Sequence, residues 1–203
     1  MTTERILTSW VLTQMTAKAG IRRYRDAACD AMRAEFRQLD QKGVFEPIMA
    51  QDLTREVRAQ ALRCIIKEKR CGKIKGRSYV CGWTPAEELY KQSETSSPTA
   101  SSDTIMLTLV VIDALENRDV ATADVAGAYL NAEMNDYVLM RLEGEDVDLM
   151  CDVNPSYKAY VHRSRNGKKT LFLCLARALY SCVQSALLAV VRVVFVHIET
   201  NGF

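Results

Sequence analysis

At 203 residues, with 48% hydrophobic and 26% charged residues, the chain has an ordinary globular composition and is long enough to bury a core in one large domain or two small ones. A net charge of +2 removes any argument for nucleic-acid binding from overall charge, so such an argument must rest on local clustering. The seven cysteines (29, 64, 71, 81, 151, 174 and 182) form no C-x-x-C pair. With no secretory pattern at the start, they read as reduced thiols of an intracellular protein. The longest apolar run, Ala186 to Ile198, carries Arg192 and His197 and falls short of the roughly 20 residues a membrane helix needs.

In chain order, Asp26 to Gln41 has the spacing of an amphipathic helix, with Ala28, Ala31, Met32 and Leu39 inward and Gly43 as its stop. Val44-Phe45-Glu46-Pro47 leaves it as an extended segment, because the residue before proline avoids the helical region. Leu53 to Ala61 is charged and expected to be helical. A hairpin is expected next: strand Cys64 to Lys67, turn Cys71 to Gly76, and returning strand Arg77 to Val80. Between Arg63 and Arg77 lie seven basic residues (63, 67, 69, 70, 73, 75 and 77) and one acid, Glu68. Most such runs are solvated hairpin tips.

Trp83 to Ala100 reads as a polar linker. Ser102-Asp103 is expected to cap a helix from Thr104 to Glu116, with Ile105, Leu109, Ile112 and Leu115 toward the core. Val120 to Val125 reads as a buried strand interrupted by Asp124. A buried carboxylate costs several kcal/mol unless paired or bound to a metal, although a capping role at the strand end is the simpler account. A short helical turn after Leu130 and a strand from Tyr137 to Leu142 follow. Glu143, Glu145, Asp146 and Asp148 have no EF-hand spacing and read as a solvated acidic loop. Val153 to Lys169 is polar, with an Asn166-Gly167 hairpin turn leading into a strand from Thr170 to Leu175.

Two words in this order carry a family resemblance. Asp124-Val-Ala-Gly-Ala-Tyr-Leu-Asn-Ala-Glu-Met resembles the first palm motif of copia-type retrotransposon reverse transcriptases. Leu175-Ala-Arg-Ala-Leu-Tyr-Ser-Cys-Val-Gln-Ser-Ala is similar to the family's second word, with Ser181 in place of its glycine, Ala186 of its proline and Ala189 of its tryptophan. Glu35 to Leu39 before Phe45, the Lys-x-Lys-x-Arg entry into the strand at Arg77, and Leu139 to Gly144 match further features.

The resemblance implies an α+β fold, an incomplete right-hand polymerase fingers and palm. Residues 1–103 would form the lead-in helix and fingers with the basic hairpin, and residues 104–203 a partial palm. It implies RNA-directed DNA polymerase chemistry: phosphoryl transfer with two Mg2+ ions, on a primer–template and deoxynucleotide triphosphates, in the cytoplasm or in virus-like particles. Asp124 is the implied catalytic residue, and Asp124 with the Val125 carbonyl the implied metal ligands. Lys75, Arg77, Tyr129 (as a steric gate against ribose), Tyr180 and Gln184 would line the nucleotide site. Lys67, Lys69, Arg70 and Lys73 would contact nucleic acid. The family's Tyr-x-Asp-Asp motif is missing, and no two aspartates are adjacent anywhere in the chain. The expectation is therefore a fragment that is inactive alone. A nucleic-acid-binding module and a non-functional transposon remnant are the alternatives.

Overall fold

The structure is a computed structural model, and it describes residues 14–53, 58–81, 101–114, 127–134, 136–164 and 166–179. Within them the protein is mixed α+β, built on one seven-stranded sheet. The elements in order are β1 (Gln14–Thr16), α1 (Ala17–Tyr24), α2 (Asp26–Gln41), β2 (Phe45–Ile48), β3 (Gln60–Glu68), β4 (Ile74–Cys81), α3 (Ser102–Asp113), β5 (Leu139–Glu143), α4 (Glu145–Val153), β6 (His162–Arg163) and β7 (Lys169–Leu175). Short 3-10 turns stand at Ala50–Asp52, Tyr129–Asn131 and Pro155–Tyr160.

The long β3–β4 hairpin forms one side of the sheet. On its other edge β3 runs parallel to β5 at Gln60 and Ala61 and antiparallel to β1 at Ile65 to Lys67. β5 then pairs antiparallel with β7, whose far edge takes β2 and β6. Strands from both halves of the sequence therefore share one sheet.

Strand alternation sends one set of side chains inward: Leu62, Cys64 and Ile66 from β3, Ser78 and Val80 from β4, Met140 and Leu142 from β5, and Leu171, Leu173 and Leu175 from β7. The inner faces of α1, α2 and α4 meet this set, with Ala28, Met32, Phe36 and Leu39 of α2 and Val147 and Met150 of α4 fully buried. Two glycines allow the close approach. A Cβ on Gly20 of α1 would stand 2.5 Å from Ile66, and one on Gly76 of β4 would stand 2.7 Å from the Ala31 carbonyl oxygen of α2.

Polar ties lock the helical layer. Asp40 of α2 accepts from the Tyr157 hydroxyl and from the Asn154 amide, both at 3.0 Å. Burial and that carboxylate push the Tyr157 hydroxyl well above the usual phenol range, so it stays a donor.

Several expectations meet the structure directly. The helix from Asp26 to Gln41 forms as read, and Gly43 follows it at φ +60°. The Asn166-Gly167 turn forms between β6 and β7, with Gly167 N–H donating to Ser164 O at 2.8 Å. The helix expected over Leu53 to Ala61 does not extend to its end, because Gln60 and Ala61 already pair with β5. The turn expected over Cys71 to Gly76 is tighter, since Ile74, Lys75 and Gly76 are already in the ladder.

The helix expected from Thr104 starts at Ser102, and its cap is Ser101, which accepts from Thr104 N–H at 3.1 Å. Its expected inward face is not buried: Ile105 is 52% and Leu109 39% exposed, and none of its residues is buried. Of the acids read as a loop, Glu143 ends β5, while Glu145, Asp146 and Asp148 form the first turn of α4, where carboxylates suit the positive end of the helix dipole. Tyr137, expected in the strand, precedes it and is exposed. The strand expected at Val120 to Val125 lies outside the described residues. Among the described residues no helix is long and apolar enough to cross a membrane.

Candidate nucleic-acid interface

The β3–β4 pair sorts its charges by face. Register places Lys67 opposite Lys75, Ile65 opposite Arg77, and Arg63 opposite Tyr79. These six side chains alternate with the buried set and so point away from α1, α2 and α4; Arg63 and Lys67 are exposed and the other four half-buried. Arg141 of β5 stands on the same face beside Ala61, and Phe172 of β7 lies opposite Arg141. Lys69, Arg70 and Lys73 are exposed around the tip, which is closed by Lys69 N–H to Lys73 O at 2.9 Å and Gly72 N–H to Lys69 O at 2.8 Å.

Two described acids beside this face are occupied, and a third, Glu46 of β2, stands exposed on the same face next to Cys174 of β7. Glu68 is the one acid of the basic run, and its parity turns it to the helical side. There it accepts the Tyr24 hydroxyl at 2.6 Å, which holds that phenol above its usual range. Glu143 does lie on the open face, but Lys168 (2.7 Å) and Arg141 (3.3 Å) bracket it. The Lys168 bond holds its carboxyl below the usual range, against a smaller opposing effect of burial. Lys75 is pulled below the ordinary ammonium range, first by partial burial and then by like charges on Arg77, Lys69 and Lys73.

Behind this surface Glu35 of α2 is buried. Its Oε1 accepts the Ser78 backbone N–H at 2.9 Å and so fixes β4 against α2 midway between Arg77 and Tyr79. Burial raises its pKa, while the Ser78 N–H and the charges of Arg77 and Lys75 pull it back part of the way. Asp146 of α4 is likewise raised, chiefly by burial, and hydrogen-bonds the Cys64 thiol. That buried thiol is pushed well above the ordinary thiol range, chiefly by burial, and is therefore protonated and unreactive.

The structure brings together six of the expected residues: Lys67, Lys75 and Arg77 on the strand face, with Lys69, Arg70 and Lys73 at the tip. It holds Tyr129 apart from them. Tyr129 begins the turn Tyr129–Asn131, which is tied to the C-terminal end of α2 by a Lys42 Nζ–Asn131 Oδ1 bond of 2.5 Å. Lys75 and Arg77 flank the glycine that rests on Ala31, about 15 Å farther back along α2 at 1.5 Å per residue. Asp124, Val125, Tyr180 and Gln184 lie outside the described residues. Among the described residues no group of three or more His, Cys, Asp or Glu is placed to hold a metal ion. Sequence reading leaves Arg63 and Arg141 out of the candidate set, although the structure sets both on this face and Arg63 shares the strand parity of Lys67.

Comparison with protein-family models, with curated proteins and with solved structures gives no match.

Proposed function

We propose that this chain is an incomplete fingers and palm of a copia-type reverse transcriptase, and that what it does alone is bind nucleic acid. The observation that carries the binding is the sorting of charge across β3 and β4. Arg63, Lys67, Lys75 and Arg77 share one face, and Glu68 is turned to the other. Phosphate backbones are recognised by such grouped cations, which displace condensed counterions. The order of motifs supports the descent: basic hairpin, then the Asp124 word, then the Leu175 word.

On this reading Lys75 meets a triphosphate or backbone phosphate as a point charge and Arg77 as a forked donor. Asp124 and the Val125 carbonyl would hold Mg2+ in a complete palm, where that ion supports phosphoryl transfer to a primer end. Tyr129 would border the sugar, and Tyr180 and Gln184 the new base pair. The partners are a primer–template and deoxynucleotide triphosphates.

The test is a salt titration of binding to an RNA–DNA primer–template hybrid. Changing Arg63, Lys67 and Lys75 together to glutamine should flatten the dependence of log K on log salt by about 0.9 for each phosphate that is no longer neutralised. Changing Lys18 and Lys158, on the helical side, should leave the slope alone. Equal slopes for all three proteins would refute the assignment.

A further inference from the structure

We infer that the open face of the sheet takes a single strand of nucleic acid, with its bases stacked on Tyr79 and Phe172 and its phosphates on Arg63, Lys67 and Lys75. The inference rests on the proposed nucleic-acid reading and narrows its ligand from nucleic acid in general to strands with unpaired bases. Charge alone does not distinguish a duplex from a single strand. Aromatic rings on the same surface do, because a stacked ring needs a base whose face is free.

The two rings are set into the cationic surface. Tyr79 stands beside Arg63 across the β3–β4 ladder, and Phe172 beside Arg141 across the β5–β7 ladder. Three strand spacings of about 4.8 Å and two residues of about 3.4 Å separate them, so the rings stand about 16 Å apart. That leaves room for further nucleotides between the two stacks.

Both rings are half-buried, held by their strands with part of each reaching solvent. Their backbone neighbours Ser78, Val80, Leu171 and Leu173 are buried on the other side. A Tyr and a Phe facing outward from a sheet whose opposite face is the core add nothing to that core. The Tyr79 side chain lies on the strand that Glu35 and Gly76 press against α2, so its ring is presented from a rigid support.

The occupant follows from charge and shape together. The cations on β3 and β4 call for a polyanion, and Ile65 with the two rings calls for one that also carries flat apolar surfaces. A single-stranded nucleic acid has both. Duplex DNA keeps its base faces inside the stack.

The experiment compares three probes of equal length, each titrated over a series of salt concentrations: a twelve-nucleotide thymidine strand, the same backbone without bases, and a duplex. Uridine and thymidine strands, run in parallel, separate RNA from DNA as the source. The base-bearing strand should bind about tenfold more tightly than the abasic one. Tyr79→Leu combined with Phe172→Leu should reduce that gap to about twofold, while the salt slope stays as in the wild type. Tyr79→Phe should keep the gap, which separates removal of a ring from a damaged fold. Equal affinity for the base-bearing and abasic strands, or a gap that survives the double leucine change, overturns the stacking inference. If replacing Arg63, Lys67 and Lys75 by glutamine weakens both strands in that case, the binding reading still stands. If those replacements change nothing, the reading of the face falls with it.

Discussion

Gly76 offers a sharp test of how the basic strand is held, because two physical effects predict opposite signs for Gly76→Ala. If Gly76 were merely a flexible residue, alanine would reduce the freedom of the unfolded chain and stabilise the protein by about 0.4–1 kcal/mol. The packing predicts the reverse. The new Cβ would lie 2.7 Å from the Ala31 carbonyl oxygen, 3.0 Å from its carbon and 2.9 Å from Met32 Sδ. The sulfur can swing aside. The carbonyl cannot, since it belongs to the middle of the 16-residue helix α2. Either α2 lifts or β4 bends, and overpacking of this kind costs about 1–3 kcal/mol. At the centres of these ranges overpacking outweighs the entropy gain, leaving a net loss of about 1.3 kcal/mol. At roughly 2–4 °C per kcal/mol for a chain of this size, the melting temperature should fall by about 3–5 °C. Urea unfolding should show an earlier midpoint with an unchanged slope. Gly43→Asn is the control, because Gly43 has a positive φ and nothing within 4 Å of its would-be Cβ. Asparagine tolerates that conformation, so its stability should stay near wild type. A Gly76→Ala protein as stable as the wild type, or more stable, would refute the close α2–β4 packing.

Other outcomes follow from the same geometry. Glu35 has a folded pKa above its unfolded value, so the folded state binds the extra proton and stability is lost as pH rises from about 4.5 through the raised folded value. Glu35→Gln keeps an acceptor for Ser78 N–H without the charge; its urea midpoint relative to wild type should be higher at pH 8 than at pH 3.5, and the reverse order would mean that attraction to Arg77 and Lys75 outweighs burial. Arg25 joins α1 to α2 at φ +48° and ψ −120°, a conformation that strains any side chain. Arg25→Gly should stabilise the protein by about 1 kcal/mol, read as a higher melting temperature, and a fall in stability would show that the arginine side chain compensates the strain. Because the chain has no adjacent aspartates to complete a two-metal site, Mg2+-dependent primer extension should be undetectable and Asp124→Asn should leave that result unchanged. Extension that disappears with Asp124→Asn would mean that other carboxylates of this chain complete the site.

What the sequence makes legible is local. The helix from Asp26 to Gln41 announces itself by apolar spacing, and the turns by Gly43 and Asn166-Gly167, because each signal lies within a few residues of its effect. The basic run is equally visible, and its alternation (63, 67, 75, 77) holds most of the open face. Which face the helices cover depends on pairings far apart in the chain: Glu35 with Ser78, Tyr24 with Glu68, and Asp40 with Tyr157. None of these has a local signature. α4 is obscured by its acids, although Val147, Met150 and Cys151 already have helical spacing and acids suit a helix N-terminus. α3 shows the opposite problem. Its run from Ile105 to Ile112 is apolar nearly all round apart from Thr108, so the face expected inward, with Ile105, Leu109 and Ile112, is hardly more apolar than the others.

The central claim is that nucleic acid lies on the open face of β3 and β4. Lysine acetylation footprinting of the intact chain, with and without a saturating primer–template hybrid carrying a single-stranded overhang, tests it within one molecule. Lys67, Lys73 and Lys75 should lose most of their reactivity when the hybrid is bound, while Lys18 on α1 and Lys158 on the Pro155–Tyr160 turn should react as before. Uniform protection of all five lysines, or protection confined to Lys18 and Lys158, would contradict the account.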